Sequence, residues 1–132
     1  IDGVPYLDGG VADSVPIRHA LKSGNAKIIV VLTRNPGYRK KPVSKGTAKL
    51  YRKAYKSYPK MAACAVHRNR MYNRTMELVE KLEAEGRIYV IRPMVPTVSR
   101  LERDYDKLMS FYEHGYALMK KEYANLLRYM EE

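Results

Sequence analysis

The stretch Ile28-Ile29-Val30-Val31-Leu32 constrains the fold most. It is aliphatic throughout and mostly β-branched, and β-branched side chains fit a pleated surface better than a helix. Its lack of polar alternation suits a strand covered on both faces, as in a parallel sheet. A strand over 28–33 therefore implies crossover connections. Val4 to Leu7 reads as a short buried strand ending at Asp8-Gly9-Gly10. Pro16 to Ser23 reads as a short helix stopped by Gly24. Together they make one right-handed βαβ unit. Arg87 to Arg92 reads as a third strand, ended by Pro93. The predicted class is α/β: a three-layer, mostly parallel sheet with strands near 4–7, 28–33 and 87–92, flanked by helices and a long C-terminal helix.

Three further helices are expected. Thr47 to Tyr58 follows a loop over 34–46, with Thr47 near its cap and Leu50, Ala54 and Ser57 on one side. Pro59 marks a break before Ala62 to Ala84, where Met71, Thr75, Leu78 and Leu82 recur at helical spacing and Gly86 closes the helix. After a connector over 94–103, Asp104 caps a helix running to about Met130. Its apolar residues repeat every seven positions: Tyr105, Tyr112, Met119 and Leu126, and again Met109, Tyr116, Tyr123 and Met130. Such a seam either packs on its own domain or pairs with another helix.

The net charge of +11 is concentrated in one segment. Residues 34–74 carry thirteen Lys or Arg and no Asp or Glu, while the flanking segments are balanced or slightly acidic. A block of this kind attracts phosphate, in nucleic acid or on an anionic membrane, unless it is only a solvated face. The single cysteine, Cys64, excludes an intrachain disulfide and points to a reducing compartment. No signal peptide or membrane-spanning run is read in the chain, so a cytoplasmic protein with peripheral membrane contact is expected.

Tyr6-Leu7-Asp8-Gly9-Gly10, followed by Val11 to Ile17 and by Lys27 to Thr33, resembles the strand-end aspartate region of patatin-like lipid acyl hydrolases. Tyr38-Arg39-Lys40-Lys41-Pro42, Tyr58-Pro59, Arg70-Met71-Tyr72-Asn73, Gly86 to Pro93 and Ser99 to Asp104 resemble a bacterial subgroup of that family. The resemblance implies ester hydrolysis by a serine–aspartate dyad. Asp8 would be the general base, and Gly9 and Gly10 would let the backbone turn without crowding substrate. It also implies a serine in a Gly-x-Ser-x-Gly turn and an upstream glycine-rich oxyanion loop.

Neither element is present. Ser14, Ser23, Ser44, Ser57, Ser99 and Ser110 all lack that frame. Residues 1–132 are thus expected to be the C-terminal portion of one catalytic domain, with 94–132 as a helical extension, partnered by a missing N-terminal half and inactive alone. Arg39, Lys40 and Lys41 are candidate ligands for anionic head groups of a lipid substrate. A nucleic-acid-binding module is the alternative, with Tyr38, Tyr51, Tyr55, Tyr58 and Tyr72 as stacking groups. Self-association is expected through the last helix or an open sheet edge. No cofactor is implied. Cys64 and His67 lack the further ligands a metal needs, and His19 and His114 read as helix-surface residues.

Overall fold

The computed structural model describes residues 2–131. Their order is a 3₁₀ turn (Gly9–Val11), α1 (Ile17–Lys22), β1 (Ile29–Val31), α2 (Lys45–Ala54), α3 (Pro59–Ala84), β2 (Tyr89–Ile91) and α4 (Tyr105–Glu131). The chain is mostly helical, 55% helix and 5% strand, and its one sheet has two strands. This overturns the expected three-layer α/β sheet. Residues 4–7 lie outside any strand, and Val4, Tyr6 and Leu7 are exposed. β1 pairs instead with β2, in parallel, with Val30 opposite Val90. The βαβ unit read across residues 4–33 is therefore absent from the described residues.

β1 is also not covered on both faces. Ile28 and Val30 are buried, whereas Ile29 is 40% and Val31 69% exposed. An unbroken aliphatic run cannot report how many faces are covered, because nothing in it alternates. Ile29 and Val31 alternate with Val30, so one face of the strand is covered and the other remains at the surface.

The chain divides into two compact units. The first comprises residues 1–20 and 39–80. It is organised on α3, whose buried line runs through Ala62, Ala65, Thr75, Met76 and Val79. Of the stripe read from the sequence, Thr75 is buried and Met71 is exposed. Pro59 starts α3 rather than breaking it, because a first-turn residue has no intrahelical N–H partner to lose. α2 is capped by Ser44, whose Oγ accepts the Thr47 N–H at 3.1 Å, so the helix begins before Thr47. It buries Ala48, while Leu50 and Ala54 face outward.

The second unit comprises residues 21–38 and 81–132. α3 ends there in a Schellman cap: Gly86 N–H donates to the Glu83 carbonyl and Arg87 N–H to that of Leu82. Gly86 has φ +67, which suits glycine. The cap turns the chain directly into β2. The loops following the two strands are then tied together. Asn35 Nδ2 donates to the carbonyls of Pro93 (3.1 Å) and Val95 (2.8 Å), and Arg34 donates to Thr97 Oγ1 at 2.9 Å. Residues 94–132 belong to this unit together with the sheet.

α4 packs on β2 through polar anchors. Tyr89 Oη donates to Glu122 at 2.6 Å. Tyr129 Oη accepts the Ile28 N–H at 3.1 Å and lies within hydrogen-bond reach of the Arg87 carbonyl. No residue of α4 is buried. Most of the seven-residue seam therefore stays outside: Tyr105, Tyr112, Tyr116, Tyr123 and Met130 are exposed.

Candidate functional site

Asp8 caps the 3₁₀ turn. Its Oδ1 accepts the Gly10 N–H at 2.5 Å, and the Val11 N–H donates to the Asp8 carbonyl at 3.1 Å. A Cβ at Gly10 would stand 2.7 Å from Asp8 Oδ1, so a side chain there would make the carboxylate shift. A Cβ at Gly9 would meet nothing within 4 Å. The turn thus holds an exposed carboxylate in one orientation. The local role is a cap, which short polar side chains commonly fill. What the turn adds is a carboxylate fixed at the surface without a cation beside it in the same motif.

The serine nearest in sequence is engaged elsewhere. Ser14 Oγ donates to the Gly10 carbonyl at 2.8 Å, which closes the same turn. Ser44 caps α2. Neither hydroxyl is arranged as a nucleophile activated by Asp8.

Arg39, Lys40 and Lys41 are brought together on one face of α3, but not as three equivalent cations. Arg39 is held by both oxygens of Glu80, at 2.9 and 2.5 Å. Its hydrogen bond and charge interaction with Glu80 hold the guanidinium pKa above the usual arginine value, against a smaller opposing effect of burial. Asn73 brackets Lys40, accepting from its N–H at 2.9 Å and donating to its carbonyl at 3.0 Å. Asn69 Nδ2 donates to the Lys41 carbonyl at 2.7 Å. Asn69, Asn73 and Glu80 fall within a narrow arc of the helix, by spacings of four and seven residues. The polar face of α3 is therefore a clamp for the basic loop. The apolar stripe of this helix is legible in the residues, but the clamp is not. Its only signal is amide and carboxylate residues at helical spacing.

The Lys40 ammonium stands 3.9 Å from the centroid of the Tyr72 ring. Beside that ring is a cleft of about 100 Å³ lined by Ala12 to Val15, Arg18, Arg68, Met71, Tyr72 and Thr75. Its lining includes Arg18 and Arg68, from separate helices, together with Asp13, Ser14 and Tyr72. Arg18 and Arg68 do not stand out in the sequence, because their proximity depends on how α1 meets α3.

The aromatic rings of the basic segment are partly occupied. Besides Tyr72 under Lys40, Tyr38 lies under the Arg34 guanidinium at 5.2 Å, and Tyr51 packs on Tyr55 at 6.5 Å. Cys64 and His67 are exposed, and no cluster of three metal-ligating side chains occurs among the described residues. His114 is more than a surface residue: its Nε2 accepts the Met94 N–H at 3.2 Å. No helix among the described residues is long and apolar enough to cross a membrane.

Comparison with known proteins gives one family. The model described as Domain of unknown function (DUF6363) matches residues 58–131, more than half of the chain. That stretch takes in α3, β2 and α4, and leaves Asp8 outside. No curated protein and no solved structure matches.

Proposed function

The chain belongs to the family of DUF6363, a domain of unknown function, and we propose that it is the aspartate-bearing part of a patatin-like serine lipid acyl hydrolase. One observation carries this reading. Asp8 and Gly10 form a turn in which the carboxylate is held by a backbone N–H, and a side chain at Gly10 would push against that carboxylate. A general base acting on serine needs a positioned oxygen before it needs a shifted pKa. The sequence Asp-Gly-Gly meets that need with a backbone turn.

Asp8 takes the proton of a serine supplied from outside residues 1–132 as that serine attacks the acyl carbon. The ester C–O bond then breaks, and Asp8 returns the proton to the departing alcohol oxygen. Water, deprotonated in the same way, releases the acid from the serine. Ser14 lacks the Gly-x-Ser-x-Gly frame, and its hydroxyl donates to the Gly10 carbonyl rather than to Asp8. The anionic part of the lipid, at a peripheral membrane surface, is drawn by the basic segment. Arg18, Arg68 and Lys40 serve there better than Arg39, which Glu80 neutralises. The occupied rings of Tyr38 and Tyr72 favour lipid over nucleic acid as the anionic partner, since stacked bases need an open ring face.

The test uses the complete protein that contains this chain. Asp8→Asn keeps an oxygen for the Gly10 N–H and removes the base, so ester hydrolysis should fall by two orders of magnitude or more while thermal unfolding is unchanged, roughly the range for a lost acid–base group. Retained hydrolysis removes Asp8 from the role. In vesicle sedimentation, Arg18→Ala with Arg68→Ala should weaken binding to anionic vesicles only, and added salt should weaken the parent's binding in the same way.

A further inference from the structure

α4 carries two different faces. The inner one is anchored by His114, Glu122 and Tyr129, bonded to Met94, Tyr89 and the start of β1. On the opposite side run Tyr105, Tyr112, Tyr116, Tyr123 and Met130, all exposed, with Met109, Met119 and Leu126 half-buried beside them. These eight are every first and fourth position of consecutive heptads across the helix. A helix that only packs on its own domain needs one such face. α4 has a second, continuous over roughly 40 Å at 1.5 Å per residue.

We infer that this stripe is the self-association surface of the protein and that it pairs with α4 of a second copy running antiparallel. Two features identify the occupant. First, the seven-residue period keeps a seam in register with another long helix, whereas a flat or irregular partner would not select it. Second, the edge of the seam carries opposite charges one heptad apart, Glu113 and Lys120, both exposed. An antiparallel pair whose axis falls between Tyr116 and Ala117, roughly 1.5 Å from the midpoint of the seam, places Glu113 of one copy at the height of Lys120 of the other. A parallel pair would set like charges at equal heights. Tyrosine suits a seam of this kind, because its ring packs while its hydroxyl reaches the wet rim.

This inference is independent of the hydrolase reading, since it involves neither Asp8 nor the basic segment. Sedimentation of the complete protein that contains this chain, across a concentration series, should show a monomer–dimer equilibrium. Tyr112→Glu with Tyr116→Glu should weaken dimerisation roughly tenfold or more while far-ultraviolet circular dichroism stays unchanged, both side chains being exposed. Glu113→Lys and Lys120→Glu should each weaken the dimer, and combining them should restore it. A chain that is monomeric at every concentration overturns the proposal, as does undiminished association of the tyrosine variant. Failure of the combined charge exchange to rescue overturns the antiparallel arrangement. Vesicle binding that depends on Tyr112 and Tyr116 without self-association assigns the stripe to a lipid surface and overturns the second copy as its occupant.

Discussion

α3 and α4 are almost equal in length, 26 and 27 residues, yet they meet solvent in opposite ways. α3 is the less apolar of the two and supplies much of the core. α4 is the more apolar and contains no buried residue. The difference lies in residue size and order. α3 puts small and aliphatic groups, Ala62, Ala65, Val79 and Leu82, along one line, so backbones can approach closely. It reserves a separate line of Asn69, Asn73 and Glu80 for hydrogen bonds to the basic loop. α4 puts polar groups toward β2, Tyr129 among them, and turns Tyr105, Tyr112, Tyr116 and Tyr123 outward. Overall hydropathy therefore does not decide which helix is the core helix. The side chains that close packing can accommodate decide it.

That contrast can be broken most sharply at Leu82. Leu82→Ala removes a side chain that is 2% exposed and should cost about 2–5 kcal/mol in denaturant unfolding. Tyr123→Ala removes a larger group from α4 and should cost no more than about 0.5 kcal/mol at concentrations where the chain is monomeric. A larger loss at Tyr123 in dilute protein would mean that the stripe packs within its own chain.

Smaller effects separate the clamp from the anchors. Glu80→Ala removes a bidentate pair whose side chains are about one-third exposed, 33% and 35%. It should cost at most about 1 kcal/mol, with the cost shrinking in high salt. It should also release Arg39 and strengthen binding to anionic vesicles; unchanged binding would show that Arg39 does not reach that surface.

The smallest effect is one of pH. Asp104 caps α4 and accepts the N–H groups of Asp106 and Lys107, and chiefly the Lys107 bond holds its pKa below the ordinary aspartate value. Glu122 is likewise lowered, first by the hydrogen bond from Tyr89. A carboxylate lowered in the folded state adds stability above its unfolded pKa, and that stability is lost as pH falls through the folded value. Acidification below the usual carboxylate range should thus fray α4 before α3. Asp104→Asn should flatten that dependence in a circular dichroism titration. Tyr89 works at the other end: burial first, then the Glu122 bond, raises its phenol pKa. Its contribution is present below the unfolded tyrosine value and fades as pH rises through the folded one.

Several elements were readable in the residues themselves because their signals are local. The stop at Gly86 rests on one φ value and the start of α4 on one aspartate, whereas the parallel pairing expected for residues 28–33 was drawn with residues 4–7 and is made with β2 instead. The strand expected at 4–7 rested on composition alone. A strand exists only where a ladder partner lies alongside, and none does here. The Asp8-Gly9-Gly10 turn was visible as a tripeptide, but the bond from the Gly10 N–H to Asp8 and the engagement of Ser14 were not. The basic segment was visible as charge. Its division into a neutralised Arg39 and a cleft lined by Arg18 and Arg68 was not, since that depends on side chains brought together across dozens of residues.

The sequence by itself thus determined the most local features: the stop at Gly86, the Asp104 cap of α4, the turn at Asp8 and the seven-residue period of α4. These depend on residues within a few positions of each other, where backbone sterics and hydrogen bonding act directly. Only the tertiary structure decided which faces are covered. It left β1 half-exposed, gave α3 a polar face that grips the basic loop, and turned the tyrosine stripe outward. Burial is a property of what stands opposite a residue, and the residue does not encode its opposite.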